Sequence, residues 1–326
     1  MSRHWKAADI PSQAGKRIII TGANSGIGYH AALKLARKGA HLVLACRDRQ
    51  KGEAALDSLN TEAPGAQLEL AILDLASLAS VREFAANELA ERRPLNVLIN
   101  NAGIMAPPRR LETADGFELQ FGTNVLGHFA LTGLLLPALE QAAAESAERP
   151  RIVTIASIAH KRGSINLDDL QYTRNYAPMK AYQQSKLANL MLAFELDRRL
   201  RATGSRIMSV AAHPGVAHTP LFSKGDYSPV EKAARKLLGE VIEIFLNTDA
   251  EGALPTLYAA TSPDVTDGGY YGPQGFEEMR GEAVGLAKVA KQARDTAIAA
   301  QLWRRSEELT GLVSVPSSFQ AERGLP

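Results

Sequence analysis

Arg17 to Thr21 is a short run rich in β-branched residues that passes directly into T-G-A-N-S-G-I-G, after which Tyr29 to Lys38 reads as helix. No other stretch restricts the fold of this chain so strongly. A strand, a glycine turn and a helix in immediate succession make the first βα unit of an open parallel sheet, because parallel strands need a crossover. Gly22 permits the tight turn, Gly26 a close approach by a phosphate, and Gly28 the packing of helix on strand. The helix N-terminus then offers unpaired N–H groups and a partial positive charge to a pyrophosphate. The spacing is G-x-x-x-G-x-G rather than G-x-G-x-x-G, so taken alone it also fits a plain tight βα turn.

The βα rhythm continues. His41 to Cys46 reads as a second strand ending in A-C-R-D-R. An acid at this strand end suits the adenosine ribose hydroxyls, whereas an Arg suits a 2′-phosphate. Arg47 follows Cys46 directly, which favours a phosphate role over that of a solvated charge, with Asp48 turned elsewhere. Helix Gln50 to Asn60, strand Leu68 to Leu73 and helix Ser77 to Arg92 come next, and Asp74 either accepts from an adenine amino group or caps a turn. A fourth strand, Asn96 to Asn100, runs into N-N-A-G, which ends at Gly103. The helical stretch from about Asp115 to Ala147 contains Thr123, Asn124 and Pro137, and the proline should kink it or end it early.

Arg151 to Ala156 forms a fifth strand with Ser157 at its carboxyl end, where ligands bind in open parallel sheets. Residues 158–180 read as a loop, Arg206 to Ala212 as a sixth strand, and H-P-G-V-A-H-T-P occupies 213–220. Two helical segments over 230–262, a short last strand in G-G-Y-Y-G-P at 268–273, and a largely helical tail from Glu282 to Leu309 complete the chain. The alternation predicts a doubly wound parallel α/β (Rossmann) sheet in one domain over 15–275, with a leader at 1–14 and a helical extension at 276–326.

The segment from Ala181 to Leu200 reads as a core-packed helix, with apolar residues at Leu187, Leu190, Met191, Phe194 and Leu196. Tyr182 and Lys186 stand four residues apart on one of its faces. Bringing a phenol of pKa about 10 into use near neutrality takes roughly 4 kcal/mol. One ammonium about 4 Å away supplies a contribution of that size at a dielectric constant near 20. Tyr182 and Lys186 are thus a physically sensible proton-transfer pair. Tyr176 and Lys180 have the same spacing, but Pro178 biases Ala177 away from helical geometry, so that pair does not share a helical face.

Bulk properties exclude several classes. Charges are interleaved and sum to +2, which offers no nucleic-acid surface. Cys46 is the single cysteine, so there is no internal disulfide, in keeping with a reducing compartment. The N-terminus lacks an apolar signal core and no uninterrupted apolar run approaches a membrane span, so a cytoplasmic location is expected. The histidines show no metal-ligand spacing.

Taken in order, T-G-A-N-S-G-I-G, N-N-A-G, the strand-end Ser157 and Y-Q-Q-S-K resemble the short-chain dehydrogenase/reductase superfamily over about residues 15–275. The resemblance implies a seven-stranded sheet, a nicotinamide cofactor and hydride transfer between an alcohol and a carbonyl. It implies that Tyr182 exchanges a proton with the substrate oxygen, and that Lys186 holds the nicotinamide ribose and lowers the Tyr182 pKa. Ser157 would bond the substrate oxygen, Asn124 would hold a relay water, and Thr219 would meet the carboxamide. The cofactor would also touch Asn24, Ser25 and Ile27 in the first turn, Asp74 and Leu75 after the third strand, Asn101, Ala102 and Gly103, and Pro214 with Gly215.

The long gap between Ser157 and Tyr182, L-A-C-R at 44–47, S-K-L-A-N at 185–189, H-P-G-V at 213–216 and L-W-R-R-S-E-E-L-T-G at 302–311 look similar to the branch containing retinol dehydrogenases and WW-domain oxidoreductases. That branch implies NADP(H) in preference to NAD(H), and a small apolar alcohol or carbonyl substrate; a homo-oligomer is compatible with it. A light-dependent or other C=C reductase and a non-catalytic dinucleotide sensor are the competing readings. Ile104, Met105, Leu221 and Phe222 follow motif loops and either line an apolar substrate site or anchor those loops.

Overall fold

The protein is described by a computed structural model that covers residues 5–216 and 247–312. Its centre is strand β1 (Arg17–Thr21), buried along its whole length. Ile18 and Ile20 enter one apolar cluster and Ile19 the other, on opposite sides of the sheet. A strand covered on both faces needs apolar residues at every position, which is why R-I-I-I-T shows no polar alternation.

The remaining strands are β2 (His41–Cys46), β3 (Gln67–Ile72), β4 (Val97–Asn100), β5 (Arg151–Ile155), β6 (Met208–Ala212), β7 (Tyr270–Pro273) and β8 (Val284–Leu286). They form one sheet in the order β3-β2-β1-β4-β5-β6-β7-β8. The first seven are parallel, and β8 runs antiparallel to β7. Strand order reverses between β1 and β4, which opens a crevice at the carboxyl ends of these two strands. Helices α1 (Gly26–Ala36) and α2 (Arg49–Glu62) cover one face, and α3 (Leu78–Ala90), α4 (Leu119–Glu145) and α5 (Pro178–Ala202) cover the other. A short helix α6 (Leu254–Thr261) completes the first face, and a C-terminal helix α7 (Thr296–Thr310) the second.

Several elements differ from the sequence reading, among them the expected loop 158–180, which holds a 3-10 turn at Ile158–Arg162 and passes into helix at Pro178. Helix α1 starts at Gly26, three residues before Tyr29, because the glycine turn supplies its first turn. Helix α4 runs past Pro137 to Glu145, with Leu135, Leu136, Ala138 and Leu139 buried on both sides of the proline. Burial of those side chains outweighs the loss of one helical hydrogen bond. The tail is extended before it is helical: Val284–Leu286 adds an eighth strand, and helix begins only at Thr296. Gln274 N–H donates to the Ala283 carbonyl at 2.8 Å, so backbone pairing at the β7 edge organises a stretch too short to show periodicity.

Among the described residues, α4 alone is long and apolar enough to cross a membrane, and 78 % of its most apolar window is buried inside the fold. A helix packed against a sheet and other helices has the same composition. Residues 230–246 of the expected helical region lie outside the described residues.

Candidate active site

The crevice begins at the glycine turn. Gly22 and Gly26 adopt φ of +67° and +58°, which L side chains rarely do. Ser25 precedes α1 in extended geometry and makes no capping hydrogen bond, and the first turn holds no acid. By contrast, Asp48 caps α2 and Ser77 caps α3. The N-terminal N–H groups of α1 are thus left for a ligand, which suits a pyrophosphate. The Thr21 hydroxyl accepts from Asn101 N–H and Ala102 N–H, each at 2.9 Å, and Asn101 Nδ2 donates to the Thr21 carbonyl at 2.8 Å. These bonds fix N-N-A-G beside the glycine turn.

A cleft of about 380 Å³ runs from this turn to Tyr182. Every described residue assigned to the cofactor by sequence lines it, from Gly22, Asn24, Ser25, Gly26, Ile27 and Gly28 through Arg47, Asp74 and Leu75 to Asn101, Ala102, Gly103, Pro214 and Gly215. Thr219, Leu221 and Phe222 lie outside the described residues. Arg47 is exposed at the cleft edge, with no carboxylate partner among the described residues. Asp48 Oδ1 accepts from Lys51 N–H at 3.1 Å, which turns its carboxylate to helix α2. Asp74 Oδ1 accepts from Ala76 N–H at 2.9 Å, so the turn-capping alternative holds, while the residue still faces the cleft.

At the other end, Tyr182 and Lys186 are buried one turn apart on α5, and Pro178 opens that helix at its first turn. Ser157 acts on the phenol as a neighbour that lowers its pKa. Lys186 Nζ donates to the Ile155 carbonyl at 2.9 Å and lies 5.9 Å from the Tyr182 ring centroid. Burial dominates both groups. It pushes the phenol up to about 12, against a smaller lowering by Ser157, and pushes the ammonium down to about 8. This corrects the expectation that Lys186 lowers the phenol. At this separation, with the ammonium donating to the Ile155 carbonyl, the lysine does not offset the desolvation of the phenol.

Asn124 is placed beside the cleft rather than in its wall. Its Oδ1 accepts from Ile104 N–H at 2.9 Å, and its Nδ2 donates to the Ile104 carbonyl at 3.0 Å and to Ser185 Oγ at 3.1 Å. The side chain thereby straps the loop after N-N-A-G onto α5. It stands in a π-helical turn, Gly122–Leu126, a distortion common at functional sites. Tyr176 is elsewhere: its hydroxyl donates to the Pro107 carbonyl at 3.0 Å and accepts from Gln120 Nε2 at 3.1 Å.

Several lining residues had no role from sequence. Ile158, Ala159, Met179 and Val216 join Ile104 and Met105 around the Tyr182 end, making it apolar. Met179 stands three residues before Tyr182, a helical spacing that could have marked it. Thr123 also faces the cleft, with a buried hydroxyl that has no partner among the described residues.

The short chain dehydrogenase family profile matches residues 16–227. Human retinol dehydrogenase 13 is 41 % identical over 93 % of this chain and 87 % of its own length. Mouse polyprenol dehydrogenase is 40 % identical over 93 % of this chain and 86 % of its own. A crystal structure of an uncharacterized protein from Mycobacterium Paratuberculosis superposes with a TM-score of 0.76 at 41 % identity, covering 96 % of this chain and all of that one. The chain belongs to the short-chain dehydrogenase family, in a branch resembling the retinol dehydrogenases, and is an NAD(P)-dependent oxidoreductase acting on alcohol or carbonyl groups.

Proposed function

We propose that the protein interconverts small apolar alcohols with their aldehydes or ketones using NADP(H), with Tyr182 exchanging the proton. The observation that carries this reading is the placement of Tyr182, with Ser157 and with Lys186 one turn on, in the same cleft as the uncapped N-terminus of α1. The two phosphates of a dinucleotide fit against Gly22, Gly26 and the free N–H groups of α1, and the exposed Arg47 supports a 2′-phosphate. With Asp48 held by helix α2, the strand end has no acid to reward a free 2′-hydroxyl. The apolar walls at Ile104, Met105, Ile158 and Met179 support an apolar substrate. Relatives named for retinol and polyprenol point the same way.

The nicotinamide, when bound, gives or takes the hydride. The chain's own task is the proton. With its phenol pushed up to about 12, Tyr182 rests protonated at neutral pH and serves as the acid at the oxygen of a carbonyl being reduced. Ser157 would align that oxygen with the phenol, and Lys186 would hold the ribose. Alcohol oxidation runs the same transfer in reverse, with the deprotonated phenol taking the alcohol proton.

Purified protein tested with NADPH against a panel of apolar aldehydes and ketones decides the reading. Tyr182→Phe should bind NADPH as wild type does and lose turnover by about 10²–10⁴, the range of general acid–base catalysis. Near-normal kcat in Tyr182→Phe, or no turnover of any apolar carbonyl by wild type, overturns it.

A further inference from the structure

The aim of the Ser157 hydroxyl depends on the 3-10 turn Ile158–Arg162 that follows it. Within that turn His160 is completely buried. Its Nδ1 lies 2.7 Å from the Ser157 carbonyl oxygen, which can only accept, so Nδ1 carries the proton. Its Nε2 lies 3.3 Å from the Ala290 N–H, which can only donate, so Nε2 is bare. Two backbone groups thus fix one neutral tautomer, and burial, which pushes the imidazole pKa down, favours that same form. The Tyr270 ring stands edge-on, 5.4 Å from the imidazole, and closes a further side.

Ala290 is not an isolated partner. Gln292 Nε2 lies 3.1–3.3 Å from the carbonyls of His160, Lys161 and Gly163, so one amide gathers the whole turn. Lys161 Nζ pairs with Glu278 at 2.6 Å, and the other oxygen of that buried carboxylate accepts from Lys288 N–H at 2.6 Å. The chain from Glu278 to Gln292 therefore backs the turn. Ser157 itself receives the Ala159 N–H on its hydroxyl at 3.2 Å, while its carbonyl takes both the N–H and the Nδ1–H of His160.

We propose that His160 is a positioning residue for Ser157: its Nδ1–H, with the ring seated by the Ala290 amide, fixes the serine carbonyl and thereby the hydroxyl presented to Tyr182. Imidazole suits this task because it carries a donor on one edge and an acceptor on the other, in a rigid ring that fits a buried turn. The inference rests on the roles proposed above for Ser157 and Tyr182.

Two substitutions separate the two edges of the ring. His160→Asn keeps an N–H near the Nδ1 position and loses the acceptor for Ala290. His160→Gln keeps an acceptor near the Nε2 position and loses the donor to Ser157. Apart from a 3.4 Å contact between Nδ1 and the Tyr270 hydroxyl, each removes one hydrogen bond, so a purely structural histidine predicts similar melting temperatures and similar kcat for both. Positioning predicts that His160→Gln loses kcat by about 10- to 100-fold, with KM and NADPH affinity within about threefold of wild type, while His160→Asn stays within about threefold in kcat. Equal kcat in the two variants, or a greater loss in His160→Asn, overturns the proposal. If either variant does not fold, Gln292→Leu loosens the same turn from outside: lower kcat at unchanged KM is expected, and wild-type kcat overturns the proposal. Tyr182→Phe is assayed alongside. Its continued turnover removes the underlying reading, whereas an inactive Tyr182→Phe beside a normal His160→Gln removes only this inference.

Discussion

Lys186 shows how burial at one side chain links activity to stability. Its ammonium is lowered from 10.5 to about 8, which corresponds to about 3 kcal/mol against folding at pH 7. Between about pH 8 and 10.5 the unfolded chain keeps this proton while the folded chain has released it, so stability rises with pH there. Tyr182 acts later and in the opposite sense: it stays protonated to about 12 when folded but ionises near 10 when unfolded, so stability falls between those values. Cofactor-free Lys186→Met should therefore melt above wild type at pH 7, with the gap closing from about pH 8 to 10.5, while cofactor affinity and turnover decline. A clearly lower melting temperature at pH 7 would mean that the hydrogen bond to the Ile155 carbonyl outweighs the buried charge. Arg47 carries a separate expectation. A charge-assisted hydrogen bond contributes roughly 1.5–3 kcal/mol, so NADPH should bind about one to two orders of magnitude more tightly than NADH. Arg47→Ala should remove most of that preference and spare NADH, and equal affinities in wild type would end the NADP(H) proposal. That Tyr182, Lys186 and Ser157 meet in one cleft was legible in the sequence because motif order carries it. The direction of the phenol shift was not, because spacing along a helix says nothing of what covers its face.

The glycine turn is the element on which the cofactor cleft rests. A Cβ on Gly28 would lie 2.5 Å from the Gly22 carbonyl oxygen and 2.6 Å from Asn101 Nδ2. Neither neighbour can yield easily: one is backbone at positive φ, and the other is bonded to the Thr21 carbonyl. Gly28→Ala should thus force α1 away from β1, destabilise the fold by about 1–3 kcal/mol and weaken NADPH binding. Urea midpoints and cofactor dissociation constants measure the two effects, and wild-type values of both would show that the turn is more pliable than its packing implies. Strands β1 to β7 were legible because their apolar runs and strand-end motifs recur in step. The start of α1 was not, since Gly26 takes left-handed backbone geometry and carries no helical pattern of its own. Strand β8 escaped for a different reason: V-G-L has no period of its own, and only the free edge of β7 makes it a strand.

At the scale of the whole molecule, the segment 276–312 is tied to the rest of the fold through both β8 and α7. Strand β8 extends the sheet, and α7 lies against α5 and α4 within the same apolar cluster as β1 and β4. Trp303 anchors it, 2 % exposed, with its ring edge-on to Phe129 at 4.8 Å and the Arg199 guanidinium 4.5 Å above it. From sequence the tail reads as an appended helical extension, because an amphipathic pattern does not say which surface receives it. Its contacts instead make it a wall of the core behind the helix that carries Tyr182 and Lys186. Trp303→Ala should cost about 3–5 kcal/mol, the usual range for deleting a large buried aromatic, and the cost should fall on the entire fold. Thermal unfolding followed both by far-ultraviolet circular dichroism and by release of bound NADPH tests this: the two transitions should coincide and move down together in the variant. Separation into an early loss of helix that leaves NADPH bound, followed by a later main transition, would instead make the tail an independent unit resting on a self-sufficient sheet.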